Sequence, residues 1–288
     1  MNEVLITGAS GLVGSRVVEL LKDKYQFITP DIPDFDLTNK ETIKLVAESV
    51  PQVIIHFAAF TNVNEAEKQK DLCWQLNVDG TKNLLSLINI DSTHFINIST
   101  DMVFPGTNGP YSESDSPAQT EHEVTWYAWT KLQAEKLIDL NKSANVRIIY
   151  PVRANFSPKL DYLRGPLKKF DEGKLYPLFS DQIVSFAFID ELAQALDKII
   201  QKRATRTYHV SSTDTGTPHE IISYLLRKAR GFTGELAKST VKQFPPNRYP
   251  WYGGLKTEIT REKLGVKFST WQQIIDQLVS QEISVDSH

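Results

Sequence analysis

The sequence predicts an α/β fold, a doubly wound parallel sheet followed by a smaller, partly discontinuous C-terminal region. Two observations predict it. Through residue 150, short β-branched runs alternate with amphipathic helical stretches, and right-handed βαβ units are how such alternation packs. A turn carrying Gly8, Gly11 and Gly14 joins the first strand to the first helix, where such sheets hold phosphates.

Val4-Leu5-Ile6 reads as the first strand, and residues 12–21 as a helix with apolar positions at helical spacing. Phe27-Ile28 is a weak second strand. Thr38 reads as the next helix cap, because Glu41 completes a capping box ahead of Ile43, Leu45 and Val46. Val53-Ile54-Ile55-His56-Phe57 is an apolar run after a proline, as expected of a strand buried on both faces. A long helix over 72–90, a strand at Phe95-Ile96-Asn97-Ile98, a helix over 126–140 and a strand over 146–150 follow. After Pro151 proline and glycine become commoner, and three helices stand out, over 189–200, 218–230 and 270–279. Thr217 is placed to cap the second of these, beside Pro218. The expected division is 1–151 for dinucleotide binding and 152–288 mostly for substrate, with about 183–211 returning to the sheet.

Composition narrows the function. The 288 residues are 41% hydrophobic and 23% charged, with a formal charge of −3 from 35 acidic and 32 basic residues. No basic field for nucleic acid results. The single cysteine, Cys73, excludes an internal disulfide and a cysteine zinc site. The six histidines (56, 94, 122, 209, 219, 288) show no ligand spacing, so no metal is expected. The N-terminus lacks the pattern of a secretory signal, and the most apolar stretch, 53–60, is far shorter than the ~20 residues of a spanning helix. The expectation is a cytoplasmic protein with no membrane partner.

The turn reads Thr7-Gly8-Ala9-Ser10-Gly11-Leu12-Val13-Gly14. Gly8 permits the tight bend, Gly11 lets the backbone approach a pyrophosphate on the helix N-terminus, and Gly14 allows close packing. Strand before, helix after and a βαβ pattern make this a Rossmann-like dinucleotide site rather than an ordinary loop. Ser10 lies within it. Asp31, at the end of the second strand, is placed to accept hydrogen bonds from the adenosine ribose and would repel a 2′-phosphate. NAD(H) is therefore favoured over NADP(H), for which Arg16 is the residue that would meet the phosphate. The plain alternative for Asp31 is a turn residue before Pro33.

Tyr127 and Lys131 stand four apart on a helix and share one face. A phenol ordinarily titrates near ~10; a neighbouring ammonium is expected to lower that value, so that Tyr127 delivers a proton to a carbonyl oxygen. Lys131 would hold the nicotinamide ribose. Ser99-Thr100-Asp101 ends the fourth strand, on the edge where open α/β sheets bind ligands. Thr100 can then hydrogen-bond the same carbonyl. Each of these is common alone, and their conjunction carries the reading. Trp126 and Trp129 fit helix packing, whereas Trp251-Tyr252, in a Pro/Gly loop, fits substrate contact and loop packing equally.

Together these residues resemble the extended short-chain dehydrogenase/reductase superfamily, and within it the dTDP-4-dehydrorhamnose reductase family, sugar-nucleotide-binding relatives of the NAD-dependent epimerases and dehydratases. The likeness runs through 7–14, Ala58-Ala59-Phe60-Thr61, Glu65-Ala66-Glu67, 76–84, Ser99-Thr100-Asp101-Met102-Val103-Phe104-Pro105-Gly106-Thr107 and Tyr127-Ala128-Trp129-Thr130-Lys131. It continues more weakly through 188–193, 208–211 and 255–264. It implies that Gly11, Leu12 and Val13 contact the cofactor phosphates, that Asp36 and Leu37 lie by the adenine, and that Ala58 and Ala59 line the cofactor. It implies Tyr127 and Lys131 at the nicotinamide, Thr100 and Asp101 facing the sugar, and, by analogy, a homodimer. Family dehydratases carry glutamate where Met102 stands, which points away from dehydration. Three stretches depart from the family pattern: the lengthened 116–125, Tyr150-Pro151-Val152-Arg153, and 248–255. The readings that follow are reduction of a 4-keto nucleotide sugar, epimerisation of a nucleotide sugar, or a non-catalytic dinucleotide-binding regulatory subunit.

Overall fold

A computed structural model describes residues 3–32, 34–47 and 51–285. The first half alternates β1 (Glu3–Thr7), α1 (Gly14–Leu21), β2 (Gln26–Ile28), α2 (Lys40–Ala47) and β3 (Val53–His56). Then come α3 (Val63–Lys68), α4 (Lys70–Trp74), a π-helical turn (Gln75–Asp79), α5 (Gly80–Leu87), β4 (His94–Thr100), α6 (Trp126–Glu135) and β5 (Ala144–Ile148). The second half holds α7 (Arg164–Asp171), β6 (Leu178–Phe179), α8 (Ile189–Lys202), β7 (Arg206–Val210), α9 (Pro218–Arg230), β8 (Lys238–Ser239), α10 (Glu258–Leu264) and α11 (Trp271–Ser280).

One six-stranded sheet runs β2-β1-β3-β4-β5-β7, and β6 pairs with β8 in a small second sheet. β1 is parallel to both β2 and β3, in a register that sets Thr7 beside His56. The order therefore reverses between β1 and β3, the place at whose carboxyl ends open α/β sheets bind ligands. The Rossmann-like expectation holds.

Backbone contacts divide the chain into two compact units. The first comprises Met1–Phe104, Ser116–Arg147 and Ala193–Tyr208, and the second Pro105–Asp115, Ile148–Leu192 and His209–His288. Leu5, Ile43, Ile54, Leu84 and Phe95 make a core in the first. Val152, Leu167, Phe186, Ile221, Leu225, Trp271 and Ile275 make the core of the second.

Several boundaries differ from the sequence expectation, each for a local reason. Thr38 does not cap α2: its hydroxyl donates to Asp36 Oδ1 at 2.8 Å, and Asn39 Oδ1 instead receives the Glu41 amide at 3.0 Å. The helix expected over 72–90 is α4 and α5 joined through the π-turn. α6 ends at Glu135, beyond which Asp139 Oδ1 accepts the Asn141 amide at 3.0 Å and turns the chain. β5 stops before Tyr150, whose φ is 37°. Thr217 caps α9 in a full capping box with Glu220. The side chains of Leu45 and Val46, along with Pro33 and His288, lie outside the described residues.

Candidate active site

The glycine turn is tightly wound. Gly8 has φ +71°, and a Cβ there would lie 2.9 Å from the Ala58 amide nitrogen. At Gly14 a Cβ would come within 2.4 Å of the Gly8 carbonyl oxygen. Both positions therefore exclude a side chain. The Gly11 amide donates to the Gly8 carbonyl at 3.2 Å, folding the turn over the start of α1. Ser10 and Gly11 are exposed, Leu12 and Val13 half-buried, and Val13 caps α1 with no side-chain bond. The Ser15 amide donates to the Gly11 carbonyl at 3.1 Å, which closes the first turn of α1 on the glycine loop.

Residues expected along the cofactor spread over the neighbouring strand ends. Asp31 is exposed and accepts the Ile32 amide at 3.0 Å. Asp36 is held by the amide and hydroxyl of Thr38. Leu37 is buried against α5, where a Cβ on Gly80 would stand 2.9 Å from its own Cβ. Ala58 and Ala59 are half-buried after β3, and the Ala58 amide donates to Thr7 Oγ1 at 3.2 Å.

Beneath this turn lies a buried polar network that sequence reasoning misses. His56 Nδ1 meets Thr7 Oγ1 at 2.7 Å and its Nε2 meets Thr81 Oγ1 at 3.1 Å. Burial pushes the imidazole down to about 3, so it is neutral across the working range. Asn77, in the π-turn, accepts the Phe60 amide at 2.7 Å and donates to Thr130 Oγ1 at 2.9 Å. Thr130 in turn donates to the Tyr127 carbonyl at 2.8 Å. The β1 end is thereby linked to the helix bearing Tyr127 and Lys131. In the sequence, 76–84 carries only a family resemblance; the π-turn that aims Asn77 has no signature in a 3.6-residue period.

Thr100 is the last residue of β4. Its hydroxyl receives the Met102 amide at 3.2 Å and donates to Asp101 Oδ1 at 3.2 Å, and its side chain lies beside that of Tyr127. Thr125 Oγ1 caps α6 by accepting the Ala128 amide at 3.3 Å, while Glu67 accepts the Trp126 amide at 2.8 Å. The lengthened stretch is itself built: the Ala118 amide donates to the Val103 carbonyl at 2.9 Å, and a Thr120–Glu123 capping box forms a turn ahead of α6.

Electrostatics here differ from the sequence expectation. Burial raises the Tyr127 phenol above its ordinary value and the Asp101 charge raises it further, with the Thr100 bond opposing. Desolvation, with Asp101, sets the direction of the shift, and Lys131 is not among the groups that lower it, which spacing alone could not reveal. Burial lowers Lys131 to about 8, opposed by Glu135. Burial also raises Asp101 to about 7, against the hydrogen bond from Thr100. The phenol is thus held protonated, and the lowering expected from the sequence is not found.

In the second unit, residues 109–113 and the 248–256 segment are laced together. Gly109 donates to the Tyr252 carbonyl at 2.9 Å, Tyr111 to Gly254 at 3.0 Å, and Lys256 to Tyr111 at 2.7 Å. Glu113 Oε1 accepts the Thr260 hydroxyl at 2.7 Å. The Trp251 indole donates to the Phe244 carbonyl at 2.9 Å, a packing contact, while Tyr252 is exposed. Tyr150 stacks on Tyr162 with centroids 4.4 Å apart. Among the described residues, no cluster of three His, Cys, Asp or Glu is arranged to hold a metal, and no helix is long and apolar enough to cross a membrane.

A Rossmann-like sheet that brings a strand-end threonine onto a Tyr-x-x-x-Lys helix is the architecture of the extended short-chain dehydrogenases/reductases, and known proteins agree. The RmlD substrate binding domain matches residues 1–283, and the chain belongs to that family of NAD(P)-dependent reductases. A probable low-salt glycan biosynthesis reductase of Haloferax volcanii is 28% identical over 75% of this chain and 76% of its own. The methionine adenosyltransferase 2 subunit beta of Rattus norvegicus is 26% identical over 95% of this chain and 89% of its own. The crystal structure of dTDP-4-dehydrorhamnose reductase from Bacillus anthracis in complex with NADP superposes with a TM-score of 0.86 at 25% identity, covering 98% of this chain and 99% of that one.

Proposed function

We propose that the protein is an NAD(P)H-dependent reductase of a 4-keto nucleotide sugar, of the dTDP-4-dehydrorhamnose reductase type. The observation that carries the reading is the placing of a strand-end Thr100 beside the α6 face that bears the half-buried Tyr127 and the buried Lys131, with the phenol held protonated. The glycine turn fits a dinucleotide, because Gly8 and Gly14 leave no room for side chains and the backbone is free to approach a pyrophosphate.

A bound nicotinamide dinucleotide would supply the hydride. Ser10, Gly11, Leu12 and Val13 would hold its pyrophosphate on the α1 N-terminus. Asp31 would receive the ribose hydroxyls, Asp36 and Leu37 would flank the adenine, Ala58 and Ala59 would line its length, and Lys131 would hold the nicotinamide ribose. Tyr127 would release its hydroxyl proton to the substrate oxygen as charge develops there, and Thr100 would hydrogen-bond the same oxygen. Asp101 would face the sugar. In this reading residues 1–151 bind the cofactor and 152–288 mostly the substrate, with 183–211 returning to the sheet. The exposed Asp31 carboxylate favours NAD(H), although the Bacillus anthracis relative was crystallised with NADP.

The test is loss of reduced-cofactor absorbance with dTDP-4-keto-6-deoxy sugars, run with NADH and NADPH in parallel. Tight cofactor binding without turnover of any keto-sugar would sink the reading. Likeness to an adenosyltransferase beta subunit over 95% of the chain favours a second one, a dinucleotide-binding regulatory subunit. Stable association with an adenosyltransferase, in the absence of turnover, would select it. Co-purified NAD with no net consumption would select an epimerase instead.

A further inference from the structure

α6 carries more than Tyr127 and Lys131. Residues 127, 131 and 135 are successive fourth positions, so a third side chain, Glu135, shares their face. Arg147 on β5 forks onto it: Nε donates to Oε1 at 3.0 Å and Nη2 to Oε2 at 2.6 Å. Both partners are buried, with side chains 8% and 7% exposed. The same guanidinium lies 4.9 Å above the Phe104 ring centroid. Phe104 closes the turn after β4, its amide donating to the Asp101 carbonyl at 3.0 Å. Arg147 therefore touches the helix of Tyr127 and Lys131 through one partner and the turn of Thr100 and Asp101 through the other.

A buried ion pair is a poor way merely to fasten a helix end. Desolvating two charges costs about what their pairing returns, and apolar replacements are often as stable. Lys131 supplies a reason for keeping this one. It is 3% exposed, and burial works against its charge. Cys73 from α4, His56 from β3 and Glu135 from its own helix bear on it. Burial keeps the Cys73 thiol protonated and the His56 imidazole neutral. Asp101, the other carboxyl of the cluster, bears on Tyr127. Glu135 is then the carboxylate that acts on the ammonium, and its two oxygens are fixed by Arg147.

We propose that the Arg147–Glu135 clamp is a positioning device for Lys131: it supplies the counter-charge and ties α6 to the Thr100–Phe104 turn. The inference rests on the reading of Lys131 as the residue that serves the cofactor ribose, yet its test need not use substrate.

Full-length protein labelled with 13C at the lysine ε-carbon is titrated by NMR, with the Lys131 resonance identified by its loss in Lys131→Arg. Removing the negative charge should let the ammonium deprotonate earlier. In the double variant Glu135→Leu/Arg147→Met, which leaves no orphaned ion, the Lys131 midpoint should fall by about half a pH unit or more, roughly a threefold change in the proton equilibrium. Glu135→Gln should move it the same way, and Glu135→Asp should restore it in part. A folded double variant with an unmoved midpoint overturns the proposal. Should that variant not fold, an unmoved midpoint in Glu135→Gln overturns it instead. Arg147→Lys keeps the charge but not the fork; its expected signature is an unmoved midpoint with kcat reduced about tenfold and KM little changed, and a wild-type kcat refutes the tie to the turn. A midpoint that moves as expected in a protein reducing no keto-sugar refutes the substrate reading alone.

Discussion

Two regions of this molecule are held in opposite ways. The cluster at the end of β4 and along α6 is fixed by side chains: Thr100 on Asp101, Asn77 on Thr130, Arg147 on Glu135, nearly all buried. The loops of the second unit, 105–115 and 248–256, are joined to each other by backbone, amide to carbonyl, with side-chain bonds from Tyr111, Glu113 and Trp251 added, and leave aromatic side chains such as Tyr249 and Tyr252 exposed. Side-chain networks depend on residue identity and tolerate little change. Backbone lacing tolerates any residue that keeps the path. The departures from the family pattern at 248–255 fall in the second kind of structure, while the Thr, Tyr and Lys positions fall in the first.

The comparison breaks most sharply at Tyr127. Tyr127→Phe removes the proton donor and nothing that a dinucleotide needs, so keto-sugar reduction should fall about a thousandfold while cofactor affinity, read by fluorescence titration, stays near wild type. Parallel loss of cofactor binding would show that the phenol holds the cofactor instead.

Asp101 gives the next largest effect, through pH. Its folded value near 7 lies above the ordinary carboxylate range, so the folded protein holds the proton more tightly than the unfolded chain. The stabilisation is complete below the unfolded value and is lost as pH rises toward the folded one. Asp101→Asn does not titrate. In denaturant unfolding it should therefore gain on wild type between about pH 4 and pH 8, by on the order of 2–4 kcal/mol. An equal difference at both pH values would mean that Asp101 ionises as freely in the fold as outside it.

What the sequence makes legible divides along the same line. The glycine turn, the strand ending at Thr100 and the Tyr127/Lys131 pair are set by short spacings, and the capping residue Thr217 likewise. Spacing makes Lys131 a neighbour of Tyr127 but does not show the desolvation that reverses the sign of the phenol's shift. Glu135 and Arg147 read as ordinary surface charges, because nothing local says that a charge is buried and paired. Asn77 is hidden by the π-turn, and the α2 cap falls one residue later than expected because Asp36 captures the Thr38 hydroxyl.

The glycine turn gives a smaller, purely steric effect. Gly14→Ala would set a methyl 2.4 Å from the Gly8 carbonyl oxygen, and backbone rather than a flexible tip would have to move. Thermal unfolding should show about 1–3 kcal/mol of destabilisation, with weaker dinucleotide binding. Unchanged stability would mean that α1 starts elsewhere than at the turn.

The smallest effect belongs to the backbone-laced region and decides what it is for. The Tyr252 carbonyl holds the Gly109 amide, so its side chain, 37% exposed, is free to change without cutting the lacing. Tyr252→Ala should leave the fold and kcat near wild type. If this loop contacts the nucleotide sugar, KM should rise severalfold, the mark of binding shared by ground and transition states. An unchanged KM would confine this tyrosine to the surface and leave recognition to other residues of the altered loops.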